Sequence, residues 1–462
     1  MSRFDVIVVG AGSSGVVLAA RLAESGRSVL LVEAGPNQTG TQVPAGIASS
    51  NFFHAASVPG RVWPGLLARN TPTSGLSPYI FGLGVGGSSS INGMLTYPGI
   101  ADDYDEWERS GALGWGWNGL SPWFTRTELI LHQPGPAEIG LLGRALMSAL
   151  PDQAAPTMLT RFADGRRADV AAAYLDPPPE RLRVLAGSPV TRLLVDGRRV
   201  VGVHLSSGDA SGHGNEHHSA LVIVATGAIG SPLLLLRSGI DTPGVGGNLC
   251  EHAGIGVALE LRSPAPSEPP PNDPQHDGVD VETTDQDSLA IAVVARMSSG
   301  EEVADLQLLA LEHLGRAMPD TAMLLLGLMK TYSRGTVRLA ANGYDADIDL
   351  HLLDDERDMR RLRSGVDQLA ALLHGEPFRR WSTVAPLPQS DDQLRDGLGG
   401  YYHAAGTCAL GTVLDDQCRV RGYEGLRVCD SSIMPSLPRA GPHFTVVAMA
   451  ERLAAMIAAE QE

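Results

Sequence analysis

Lysine is all but missing: Lys330 is the only one among 462 residues, and arginine supplies the rest of the 35 basic side chains. That bias carries no functional reading by itself. Acidic residues outnumber basic ones 52 to 35, a formal net charge of −17, which argues against nucleic acid as a partner and for a self-repelling surface. Long apolar runs are absent too, far short of the ~20 residues a membrane span needs, so peripheral membrane contact is the most that composition allows. Cysteine is scarce: Cys250, Cys408, Cys418 and Cys429 form no CxxC pair, so buried, reduced thiols are expected rather than a disulfide framework, and no metal site. The short apolar start is broken by glycines, unlike a signal peptide, and the expected compartment is cytoplasmic.

Glycine is plentiful instead, 54 of 462 residues, well above the usual ~7%. Without a G-X-Y period this is not collagen; the backbone must turn sharply or approach something closely in many places. With 43% hydrophobic and 19% charged residues the chain is globular, and its length suits about three domains or one large enzyme with an inserted lobe.

Phe4 to Val9 reads as a buried strand, the apolar residues after the next glycines as a helix, and Ser28 to Glu33 as a second strand. Between them Gly10, Gly12 and Gly15 match GxGxxG, with Ser13 and Ser14 inside it. The first glycine allows the tight turn, the second lets a pyrophosphate approach, and the third lets helix and strand close; the phosphate then meets free helix N–H groups. Glu33, followed by Ala34, ends the second strand where an acid accepts hydrogen bonds from an adenosine ribose. This pattern does not choose between FAD and NAD.

Residues 49–81 read as a surface excursion or lid, Arg183 to Leu205 as a hairpin around Asp196-Gly197, Ala220 to Ala225 as a strand and Ser231 to Arg237 as a helix. Residues 263–288, rich in proline and acid, read as a linker. Leu289 to Leu353 offers several strands, and Asp355 to Leu373 a helix. His217-His218 is expected in an exposed polar hairpin loop.

Further blocks carry a resemblance. Gly86-Gly87-Ser88-Ser89-Ser90-Ile91-Asn92-Gly93, the stretch Asp103 to Trp107, Gly227 to Ile240, Ser333 to Leu339, His403 to Cys408 and Leu426 to Pro435 are similar, in that order, to the glucose-methanol-choline (GMC) oxidoreductases, FAD enzymes that act mostly on alcohols. The resemblance spans nearly the whole chain. It implies an α/β fold: a Rossmann-like, doubly wound FAD domain, discontinuous in sequence, plus an α+β, sheet-based substrate domain. The expected division is 1–262 for the FAD domain, 263–400 for the substrate lobe and 401–462 for the return to the FAD domain.

The resemblance also implies site residues. Gly87, Ser88, Asn92, Gly93 and Leu95 would lie along the flavin and ribityl chain, Val190 at the adenine, Asp430 and Ser431 at the pyrophosphate and ribityl region, and Phe444 and Thr445 at the pyrimidine end. Ile91 stands where a covalently linking histidine would, so FAD is expected to be non-covalent. His403 falls at the catalytic histidine and His443 at its partner. The implied reaction oxidises an alcohol to a carbonyl, with the hydroxyl proton taken by histidine and hydride passed to flavin N5. Length and arginine bias are similar to those of mycofactocin-associated GMC dehydrogenases, for which a reduced redox carrier would replace the alcohol. A dehydrogenase is expected, with an O2-using alcohol oxidase and a non-redox, hydroxynitrile-lyase-type relative as alternatives; the electron acceptor is left open. Leu83, Thr96 and Asp241 depart from the family's usual residues without removing a catalytic group.

Overall fold

The computed structural model describes residues 3–206, 215–261, 288–314, 321–376 and 378–460; all but the last residue of the expected 263–288 linker lies outside them. The first strand, Arg3–Val9, sits between Val29–Val32 and Glu216–Val224, with Leu182–Leu185 beyond the former and Leu426–Val428 beyond the latter, every pair parallel. Residues buried on both faces explain the continuous apolar runs that mark these strands. The Val190–Asp196 and Arg199–Leu205 hairpin, turning on Gly197 at φ +60°, joins the same sheet antiparallel. Helix Ser13–Glu24 and the C-terminal helix Pro442–Ala459 pack together beside this sheet, Arg21 bonding Glu451 at 2.9 Å.

His217 and His218 are not in a loop. Both lie within strand Glu216–Val224, and His217 is buried, because the strand starts four residues earlier than its apolar run suggests. Helix Gly227–Arg237 likewise starts before the expected Ser231 and contains Pro232. Proline has no N–H for the carbonyl four residues back; the Ala228 carbonyl instead accepts the Thr407 hydroxyl at 2.6 Å.

The second sheet is antiparallel, in the order Ser382–Val384, Ala253–Leu261, Thr321–Leu328, Leu306–Leu311, Ile291–Met297, Ala154–Pro156, with Leu398–Gly400 also pairing Ala253–Leu261. It thus draws strands from both sides of residue 262. Side chains alternate between its faces. Leu306, Leu308, Leu324 and Leu326 pack under helix Glu356–His374, capped by the Asp355 side chain accepting from Arg357 N. Leu309, Leu311, Ile291 and Val294 face the other way, with Phe52, Phe53, Tyr97 and Tyr401 against them.

The 49–81 stretch is a packed excursion. Its strands Leu67–Arg69 and Leu76–Pro78 share a four-stranded sheet with Thr336–Leu339 and Ala346–Asp349, and it contributes the buried side chains Asn51, Arg61 and Tyr79. Helix Ala101–Arg109 reaches across to the C-terminal segment. Its Asp103 accepts from Arg439 N at 2.8 Å, its Tyr104 hydroxyl meets Thr445 Oγ1 at 2.9 Å, and its Trp107 Nε1 donates to Ser436 O at 3.0 Å. Glu106 on the same helix pairs with Lys330, the lone lysine.

Candidate active site

The two glycine turns meet. Gly10, at φ +98°, has no room for a side chain, since a Cβ there would sit 2.6 Å from Ala225 O; one on Gly15 would sit 1.8 Å from Gly10 O. These two positions are dictated by the chain itself. Gly12 differs: a Cβ built on it meets nothing nearer than Gly87 Cα at 4.0 Å, so space is kept open beside it. Gly86 N donates to Ala11 O at 2.8 Å and brings the second turn against the first. Ser88 is exposed, its hydroxyl accepting from Gly82 N; Asn92 Oδ1 accepts from Met94 N and Arg167 Nη1. Gly93 lies against Leu95, which is half-buried and bridges to Leu159.

Glu33 is buried, and its carboxylate accepts backbone N–H groups from Ala11, Gly35 and Gly84 at 2.8, 2.9 and 3.0 Å. It therefore staples both glycine turns and the segment after Ala34. About four lone-pair sites are available to a carboxylate, so one remains. Val190 opens its strand just after Gly187 and Ser188, whose N–H groups donate to Gly35 O and Glu33 O. Asp430 is buried; Oδ1 accepts from Ser432 N, and Oδ2 from Gly227 N and Ser231 Oγ, while Ser431 Oγ donates to Ala404 O. Both side chains tie motif to motif.

Two helix N-termini converge on this cradle. Gly12 and Gly441 precede helices Ser13–Glu24 and Pro442–Ala459 without a side-chain cap or an acid in the first turn. Both positive ends are thus left for an anionic ligand. Ser13 Oγ and His443 Nδ1, 3.1 Å apart, join them. Phe444 packs on Phe124 with ring centroids 4.9 Å apart, and Thr445 is fully buried.

His403 comes to the same place from another block: a Cβ on Gly441 would lie 3.7 Å from its Cε1 and 3.8 Å from its Nε2. Burial lowers its pKa to about 4, and burial together with the Arg167 guanidinium lowers that of His443 to about 4. Both rings are neutral at neutral pH, so either can accept a proton.

Glu251, Tyr79, His252 and Arg167 escaped sequence reading. Glu251 accepts from Tyr79 OH at 2.6 Å, His252 N at 2.9 Å and His403 N at 2.8 Å; burial raises its pKa to about 7 against those bonds. His252 is fully buried with Nδ1 2.9 Å from His403 Nδ1. Arg167 is buried, Nε and Nη2 lack partners, and burial lowers its pKa to about 10. An acid–histidine pair at 251–252 was the one visible signal. Among the described residues no cluster suited to a metal is present, and no helix is long and apolar enough to cross a membrane.

The unpartnered Nε2 of half-buried His443, the unpartnered Arg167 nitrogens and the open space at Gly12 fit a bound anionic dinucleotide with a polar ring system. The comparisons agree in kind. GMC oxidoreductase family models match residues 4–254 and 331–450. The chain is 30% identical to the 5-(hydroxymethyl)furfural oxidase of Methylovorus sp. (strain MP688), covering 98% of each, and 28% identical to the oxygen-dependent choline dehydrogenase of Brucella suis biovar 1 (strain 1330), covering 94% of this chain and 91% of that one. Among solved structures, pyridoxine 4-oxidase from Mesorbium loti superposes with TM-score 0.83 at 25% identity over 98% of both chains. A formate oxidase superposes at 0.84 with 21% identity over 99% of this chain and 98% of that one, a likeness of fold.

Proposed function

Because this chain belongs to the GMC oxidoreductase family, we propose that it oxidises a CH–OH group with non-covalently held FAD, His403 acting as the base. Bound FAD supplies the two-electron acceptor. Gly12 and Ser14, at the first helix N-terminus, would hold its pyrophosphate, Glu33 its ribose through the remaining lone pair, and the His443 to Thr445 turn its pyrimidine end. Asp430 would meet it through the lone-pair site its three bonds leave, and Ser431, whose hydroxyl is engaged, through backbone. The buried Ile91 offers no side-chain nitrogen for a covalent link.

His403 takes the hydroxyl proton on Nε2, which lies on the ring edge beside Gly441. His443, at the positive end of its helix, orients the hydroxyl and favours negative charge beside it. The observation that carries this reading is the neutral His403 ring set against that helix N-terminus. Its ring centroid lies 5.5 Å from that of Tyr401, which stands with Tyr97, Phe52 and Phe53 on an apolar face of the second sheet. That wall suits a neutral alcohol with an apolar or aromatic body.

Anaerobic mixing with benzyl alcohol, 5-(hydroxymethyl)furfural, choline and glucose tests the proposal. The ring alcohols should bleach the flavin, and His403→Ala should slow bleaching by about 10²-fold or more while keeping FAD. Flavin that stays oxidised with every alcohol would return the lyase-type reading. Admitting air then separates oxidase from dehydrogenase: reduced flavin that persists marks a dehydrogenase.

A further inference from the structure

The pairing of buried His252 with half-buried His403, both neutral, leaves a choice of tautomer. Cys250 and Ala405 exchange both backbone hydrogen bonds, 2.9 and 3.0 Å, and Tyr401 N donates to His252 O at 3.1 Å. Beyond the Cys250–Ala405 pair the register shifts by two residues, Ala253 pairing with Gly400, so His403 lies in the bulge beside His252. Glu251 holds both backbones: Oε1 accepts from His252 N and from His403 N. The rings then meet nearly perpendicular, 81° between planes, with the Nδ1 atoms 2.9 Å apart. Neither ring carries a charge at neutral pH, because burial lowers both pKa values below the usual range. One Nδ1 must therefore carry a hydrogen and the other a lone pair.

We propose that His252 is a positioning residue that fixes His403 as the tautomer with Nδ1 protonated and Nε2 free. The inference rests on the reading of His403 as base. Nε2 of His252 is buried without a hydrogen bond of regular geometry, but the backbone carbonyls of Met329 and Pro438 lie against this ring. With Nδ1 engaged by His403, we assign these acceptors to Nε2, which then carries the hydrogen and leaves Nδ1 of His252 as a lone pair. His403 Nδ1 then donates to it, and His403 Nε2, facing Gly441, is bare. In the opposite arrangement a lone pair of His252 would face carbonyl oxygens, and His403 Nε2 would carry a hydrogen where it has to accept one. When His403 takes the substrate proton on Nε2, Nδ1–H keeps its acceptor, so no group need turn. The role differs from that of an acid behind a histidine: the nearby carboxylate, Glu251, bonds backbone N–H groups and the Tyr79 hydroxyl.

The test is histidine-selective 15N NMR of the FAD-loaded protein, with His403→Gln assigning the His403 signals. Nδ1 should have the protonated signature and Nε2 the unprotonated one. In His252→Leu the two should mix or exchange, and flavin reduction should slow by about 10-fold or more at unchanged FAD content. In His252→Asn, whose Oδ1 can accept from His403 Nδ1, signature and most of the rate should return. A wild-type His403 protonated on Nε2, or a tautomer indifferent to His252→Leu, overturns the proposal. Should the leucine variant fail to fold, the wild-type spectrum decides. If the tautomer is as proposed but His403→Gln reduces flavin at the wild-type rate, the reading of the base fails and the tautomer assignment stands.

Discussion

Burial moves His403 and Glu251 in opposite directions, because it disfavours whichever form is charged: the histidine falls to about 4 and the acid rises to about 7. The base is therefore ready over a wide range. Flavin reduction by substrate should be level from neutrality down to about pH 5 and fall as pH drops through about 4, which rapid mixing across pH 4–8 would show. An acid limb centred near 6.5 would mean that His403 is solvated. Stability follows with its own sign. The folded pKa values of His403, His443 and His252 lie below the unfolded one, so the unfolded chain binds more protons there. Their neutral burial costs nothing above about 6.5, and unfolding free energy is lost as pH falls from there toward 4. Tyr79→Phe removes the 2.6 Å bond to Glu251 and the acceptor of Ala404 N; equilibrium unfolding should show a loss of about 1–3 kcal/mol.

At the scale of elements, the glycines of one motif do different work. Gly15→Ala drives a methyl into Gly10 O, so the strand–turn–helix unit itself must shift, and a low yield or a lowered unfolding midpoint is expected. Gly12→Ala meets no protein atom closer than 4.0 Å. Its apoprotein should unfold at the wild-type midpoint while the purified protein carries far less FAD, read from flavin absorbance per chain. Full FAD content in Gly12→Ala would remove the pyrophosphate from this turn. The same contrast separates Pro232 from an ordinary helix breaker: the carbonyl it frees is the acceptor for Thr407, which ties the helix after Gly227 to the block that carries His403. Each motif is thus held in place by another one.

Over the whole molecule, Arg439 is the joint. Buried in the turn before the C-terminal helix, its guanidinium pairs with Asp103 at 3.1 Å and Glu302 at 2.9 Å, joining helix Ala101–Arg109 to a loop of the second sheet. Removing it leaves Asp103 fully buried without its cation. Arg439→Ala should lose about 3–5 kcal/mol of unfolding free energy, and with it the alignment of His443, four residues on. A loss below about 1 kcal/mol would show that Asp103 is neutral in the folded protein.

The sequence by itself determined the βαβ unit with its glycine turn and the order of the blocks, because each is written locally, in strand and helix periods and in residues a few positions apart. It also located the hairpin at Gly197 and the four buried, free cysteines. Only the tertiary structure decided what stands behind and between them. Glu251 and His252 meet His403 across 151 residues or more, Arg167 reaches Asn92 across 75, and the second sheet takes strands from 154–156 and 253–261. No local period records such pairings. They follow from burial, which requires each enclosed donor, acceptor and charge to find a partner wherever the packed chain brings one.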